Sequence, residues 1–303
     1  MTPATLVADE PRGAPPYSQP VELPDAINQI RGAVVQITYT ISGLSHEALE
    51  DLGADGAIFS RPFGSGFFIS DRGHVVTAKH VLDDIEDFAI DNRDEGQHYV
   101  GIGVAFPNIE GHGVQRRGTF RSIAFDVVGT DDRHDLALLR LVRNPFAMSR
   151  QDRTSSQGQL LEPSLAVLDA TRPRDGASAA ISGYPLDQAA LVTTAGHIAS
   201  GWAVDIKNQL ISDGAGGYEP TDIADRYLAD IQTNPGNSGG PAYSLGSGAV
   251  LGVLVGAILT HVVGDSSLRS SANLAEVVPA QFVVELAAKH GVNVRTLRPP
   301  TMR

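Results

Sequence analysis

Apolar positions along this chain gather into short runs that break at turn residues, and few recur at the spacing of a helix face. The runs are AVVQITYT (33–40), GSGFFIS (64–70), HVVTA (74–78), YVGIGVAF (99–106), IAFDVVG (123–129), LALLRLV (136–142), LAVLDA (165–170), AAISGYP (179–185), LVTTAGHIAS (191–200), YLADIQT (227–233) and AVLGVLVGAIL (249–259). Each predicts a strand, because β-branched and aromatic residues suit a pleated, half-buried surface. Two helices are predicted. Pro24 opens the first, through Ile27 and Ile30, and Pro279 opens the second, where Phe282, Val283, Leu286 and Ala287 form an apolar stripe closed by Gly291.

The strands fall into two groups, separated by a stretch that loses strand pattern and gains polar turn residues. The expected fold class is therefore all-β, with two antiparallel β-barrels, a short N-terminal helix and a C-terminal helix, since barrel closure removes exposed sheet edges. The division reads as a flexible, proline-rich arm at 1–22, an N-terminal barrel at 23–145, a linker at 146–163, and a C-terminal barrel with its closing helix at 164–303. Residues 42–62 and 83–121, the second opening on DDIEDFAIDNRDEGQ, read as solvated surface insertions. A second reading gives them a regulatory or gating role towards a partner protein.

Composition narrows the function. A formal net charge of -12 argues against nucleic acid as a partner, and 42% hydrophobic residues can fill ordinary cores. With no cysteine, disulfides, thiol chemistry and cysteine-based zinc sites are excluded. No signal peptide is visible, and the longest apolar run is too short and too glycine-interrupted to insert in a membrane. A soluble, cytoplasmic protein is the expectation; the oligomeric state is not readable.

Ser238 lies in Asn-Pro-Gly-Asn-Ser-Gly-Gly-Pro (234–241), where small neighbours let a turn present its hydroxyl. The amides of Gly236 and Ser238 are suited to hold the oxyanion of an acyl-transfer intermediate. Among the histidines, His46, His98, His112, His134 and His290 sit in polar, solvent-facing contexts, whereas His80 ends the apolar stretch VVTAKHVL. Asp135 opens DLALLRL, where a buried carboxylate needs a donor such as an imidazole N–H. Two rivals remain open. Asp131, Asp132 and His134 suggest a metal cluster, and Gly236 to Gly240 also satisfies G-x-S-x-G, with Asp265 and His290 following in the order of an α/β-hydrolase esterase.

The order His80, Asp135, Ser238, with TAKH, HDLALL and GNSGGP around them, resembles the trypsin-like serine peptidases, most nearly the bacterial HtrA proteases. The resemblance implies a serine endopeptidase acting on protein or peptide substrates without cofactor or metal. It also implies a primary pocket with Gln232 at its base and Val255, Gly256 and Ala257 as a wall. No carboxylate is foreseen there, so small to medium uncharged side chains are the expected preference. Asn237 stands where digestive-type zymogens carry aspartate, and the chain stops soon after the closing helix, where HtrA proteins usually continue into a PDZ domain. A catalytically silent peptide-binding module of the same fold is the alternative reading.

Overall fold

The computed structural model describes residues 23–43, 58–92, 96–105, 120–155, 158–186, 190–206, 210–212, 218–220, 223–262 and 265–297. The expected arm at 1–22, and the parts of the two expected insertions at 44–57, 93–95 and 106–119, lie outside them.

Helix α1 (Leu23–Arg31) leads into a seven-stranded antiparallel sheet. In chain order its strands are β1 (Val34–Ser42), β2 (Ile58–Ser70), β3 (His74–Ala78), β4 (Gln97–Ala105), β5 (Phe120–Ile123), β6 (Phe125–Asp131) and β7 (Leu136–Leu141), arranged β5-β4-β1-β2-β3-β7-β6. In a flat sheet β4 and β6 would stand about 24 Å apart. They touch, so the sheet curls into a half-barrel. Its interior holds Val35, Ile37, Tyr39, Phe68, Val75, Leu139 and Ile102.

The second half contains β8 (Ser178–Gly183), β9 (Val192–Ile206), a small hairpin of β10 (Leu210–Ser212) and β11 (Tyr218–Pro220), then β12 (Ile223–Asp230), β13 (Pro241–Ser244), β14 (Val250–Val262) and β15 (Asp265–Pro279). A closed barrel runs β12-β15-β14-β13-β8-β9, packed inside by Ile181, Ile198, Tyr227, Leu251, Leu254 and Val277. A third cluster joins the halves: Phe67, Val76 and Leu138 of the first meet Tyr184, Tyr243, Val253 and Val278 of the second. The closing helix α4 (Ala280–Lys289) adds Val283 and Leu286 to it. Between the halves, α3 (Arg150–Arg153) is a single turn capped by Ser149, whose side chain accepts the Asp152 N–H.

The all-β, two-barrel class holds, with local corrections. Residues 83–91 are not a solvated loop but the body of a helix, α2 (Lys79–Asp91). Val81 and Ile85 bury one face against the half-barrel, with Phe88 packed beside them, while Asp83, Asp84, Glu86, Asp87 and Asp91 stay exposed. Within the rest of that span, β4 forms where YVGIGVAF predicts a strand and residues 120 and 121 open β5, and residues 58–62 belong to β2. LAVLDA forms no strand: Leu168 makes only isolated bridges, to Val250 and Thr296.

Candidate active site

Chain direction changes sharply where β3 ends. Ala78 precedes α2 and offers no side-chain cap, so the first amides of the helix need an acceptor from elsewhere. Asp135 supplies it. Its main-chain oxygen accepts the Lys79 N–H at 3.0 Å, and its Oδ1 accepts the His80 N–H at 2.8 Å. Its other carboxylate oxygen lies 2.7 Å from His80 Nδ1, the geometry of an Nδ1–H donating to a carboxylate, which leaves Nε2 as the basic nitrogen. Asp135 has φ of 58°, a left-handed conformation uncommon outside glycine and asparagine-like residues. That bend delivers backbone and side chain of one residue to the same helix start.

Burial alone would lower the His80 pKa. The hydrogen bond and charge of Asp135, with the nearby carboxylates of Asp84 and Asp83, outweigh it and raise the value above the usual histidine range.

Ser238 stands on a turn between β12 and β13 in which the carbonyls of residues 235 to 238 are each anchored. The Pro235 oxygen accepts the Leu186 N–H at 2.9 Å, and the Gly236 oxygen accepts Ser65 Oγ–H at 2.7 Å. The Asn237 oxygen accepts the Gly240 N–H at 2.9 Å, and the Ser238 oxygen accepts the Ser65 N–H at 2.8 Å. Of the amides, Asn237 donates to the Asn234 oxygen and Gly239 to the Leu254 oxygen. Among the described residues, the N–H groups of Gly236 and Ser238 have no protein acceptor. In a planar trans peptide the N–H points opposite to the C=O, so anchoring the carbonyls of 235 and 237 aims these two amides. Gly236 has φ of 95°, and a Cβ there would stand 2.6 Å from the Tyr184 oxygen.

Close approach of glycines brings this turn to α2. A Cβ at Gly64 would meet Val81 at 2.7 Å on one side and the Ser238 oxygen at 3.0 Å on the other, and one at Gly239 would lie 2.9 Å from the Ala78 nitrogen. Ser238 Oγ makes no hydrogen bond to His80 among the described residues; in unliganded sites that contact is often long and closes in the substrate complex. Asn237 is buried beneath the turn with its Oδ1 unpartnered.

Of the expected pocket residues, Gln232 is exposed just after β12, its carbonyl accepting Thr194 Oγ1–H at 2.9 Å. Val255, Gly256 and Ala257 lie half-buried on β14, with β15 running between the two groups. A carboxylate that was not among the expected residues stands beside this stretch of β14. Glu276 pairs with Gly256 across β14 and β15, and its Oε2 lies 3.1 Å from where a Gly256 side chain would begin.

The rivals meet a different geometry. His134 is not solvent-facing: Nδ1 lies 2.7 Å from Asp131 Oδ2, and the ring stacks on Phe282 at 3.7 Å. That contact holds Asp131 below the usual carboxylate range despite its partial burial. Among the described residues no cluster of three metal-ligating side chains forms. An elbow needs a helix after its serine, but strand β13 follows Ser238, and His290 ends α4 in a cavity with Arg72, His74 and Arg140. His98 is exposed, hydrogen-bonded to the Tyr39 hydroxyl, and His46 and His112 lie outside the described residues.

A family model for the trypsin-like peptidase domain matches residues 64–253, a span that includes His80, Asp135 and Ser238. The chain belongs to the trypsin-like peptidase family. Solved structures of similar fold include the HtrA-type protease AlgW with a decapeptide, 20% identical, covering 89% of this chain and 67% of that one with a TM-score of 0.54. The active form of the Rv3671c protease from M. tuberculosis is 21% identical over 95% of this chain and 96% of that one, with a TM-score of 0.51. At such identities the likeness is one of fold. A comparison with curated protein sequences finds no match. Among the described residues of this family member, no helix is long and apolar enough to cross a membrane.

Proposed function

We propose that the chain is a serine endopeptidase, with Ser238 as nucleophile, His80 as general base and Asp135 as the group that orients it. The observation that carries this reading is the turn at 235–239, in which the two unpartnered amides are those flanking the serine hydroxyl. Ser238 Oγ attacks a peptide carbonyl while His80 Nε2 takes its proton, and the oxyanion forms between the amides of Gly236 and Ser238. The imidazolium, held by Asp135, returns the proton to the leaving amine. Water, deprotonated by the same nitrogen, then hydrolyses the acyl-enzyme and restores Ser238. The chemistry draws on no metal or organic cofactor. A peptide substrate is in keeping with the decapeptide held by AlgW.

A fluorophosphonate probe tests the nucleophile. Labelling of Ser238 in folded protein is expected, and S238A and H80A should each lower peptide hydrolysis by about 1,000-fold or more. Folded protein that takes no label and cuts no peptide would mark the silent peptide-binding module instead.

A further inference from the structure

Ser65 does more than its place in a strand requires. It sits on β2 in the first half, fully buried, between Gly64 and Gly66. Its three polar groups make four hydrogen bonds. Its N–H donates to the Ser238 oxygen at 2.8 Å, and its own carbonyl accepts Thr77 Oγ1–H at 2.7 Å. Its hydroxyl donates to the Gly236 oxygen at 2.7 Å and accepts the Tyr184 N–H at 2.9 Å.

Three of those four partners belong to the second half, and each bears on the serine turn. The bond to Gly236 fixes the peptide that follows the first unpartnered amide. The bond from Tyr184 fixes the segment whose Leu186 N–H, two residues on, holds the Pro235 carbonyl and so aims the Gly236 N–H. The bond to Ser238 holds the nucleophile's own carbonyl. Thr77, which anchors the Ser65 carbonyl, lies three residues before His80 on the fully buried β3. One residue, through backbone and side chain together, thus ties the anion-holding turn of one half to the strand that leads into the base-bearing helix of the other.

We propose that Ser65 is a positioning residue for the oxyanion site. Resting on the serine-peptidase reading, this gives its hydroxyl the task of setting the direction of the Gly236 amide. A buried serine that merely joined two strands would lower the melting temperature when removed and leave turnover by the folded protein intact. A residue that aims an oxyanion donor acts on the transition state, so its loss falls on kcat rather than on KM.

The test compares wild type, S65A, and the pair S65T and S65V, which share a shape and differ by the hydroxyl. Each is assayed for melting temperature, kcat and KM on one peptide, and affinity for a peptidyl trifluoromethyl ketone, whose adduct places an oxyanion in the site. Losing a whole oxyanion donor costs about 100- to 1,000-fold in kcat, so misaiming one should cost about 10- to 100-fold. S65A is expected to lose that much in kcat and in ketone affinity, with KM within about twofold. S65T should exceed S65V in kcat by at least about fivefold, a comparison that stands even if S65A folds poorly. S65A with wild-type kcat, a loss confined to KM, or equal rates for S65T and S65V would each overturn the proposal. An inactive, unlabelled wild type would instead sink the serine-peptidase reading beneath it.

Discussion

Asp135 grips His80 twice, one carboxylate oxygen on the imidazole Nδ1 and the other on the backbone N–H of the same residue. The two contacts have separable consequences. D135N keeps an oxygen for the helix amide and tolerates the left-handed backbone, but presents the wrong partner to Nδ1. Its kcat should fall by about 10,000-fold. D135A also loses the cap and should be destabilised by about 1 kcal/mol more, read from paired urea titrations. Equal stability of D135N and D135A would show that the cap contact is idle.

The raised pKa of His80 acts on rate and stability in opposite directions. Neutral imidazole is needed to accept the serine proton, so kcat/KM should rise with pH through a midpoint above the ordinary histidine value of 6.5. For folding the sign reverses. A histidine whose folded pKa is raised contributes stability that is present below its unfolded pKa and is lost as pH rises through the folded one. Replacing Asp84, which helps raise that value, by asparagine should move the kinetic midpoint down. A D84N midpoint at or above wild type would refute the electrostatic account.

Gly236 holds a conformation that a side chain resists. G236A should lose about 100-fold or more in kcat and some 1–3 kcal/mol in stability, because φ is 95° and the Tyr184 oxygen is in the way. Gly246 is the control. Its nearest neighbour to an added Cβ is the Ser244 hydroxyl oxygen at 3.6 Å, so G246A should leave kcat unchanged.

Glu276 brings a half-buried carboxylate to β14 at Gly256, the stretch proposed to wall the primary pocket. Peptides with glutamate before the scissile bond should be the poorest substrates. E276Q should raise their kcat/KM by about tenfold and leave alanyl peptides within about twofold, since like charge is a repulsive device acting on one substrate class. A uniform change across both peptides would mean that Glu276 only supports the barrel.

How much of this was legible beforehand depends on where each signal resides. The strand class showed because GSGFFIS, HVVTA and LALLRLV carry their burial in their own composition. His80 and Asp135 stood out as polar residues beside such runs, and the structure brings them into contact. Helix α2 did not show: its buried positions Val81 and Ile85, with Phe88, are diluted by carboxylates that read as a solvated loop. Strand β15 was hidden by its serines and asparagine, since a strand completing a barrel takes its pairing from neighbours. Ser65 was the main omission among site residues. A small polar residue between two glycines ahead of a buried strand was its one trace, and its partners lie 119 and 171 positions away.

The exposed face of α2 has a bearing on arrival as well as on turnover. Asp83, Asp84, Glu86, Asp87 and Asp91 line the helix that carries His80 in its first turn, and a cavity of about 520 Å³ runs from Asp84 and Asp91 across to Gly236. At physiological ionic strength charges act over about 8 Å, enough for this row to draw cationic peptides towards the cleft and turn anionic ones aside before any contact is made. Added salt would then slow capture of the first and speed capture of the second, so ionic strength itself selects among otherwise equal chains.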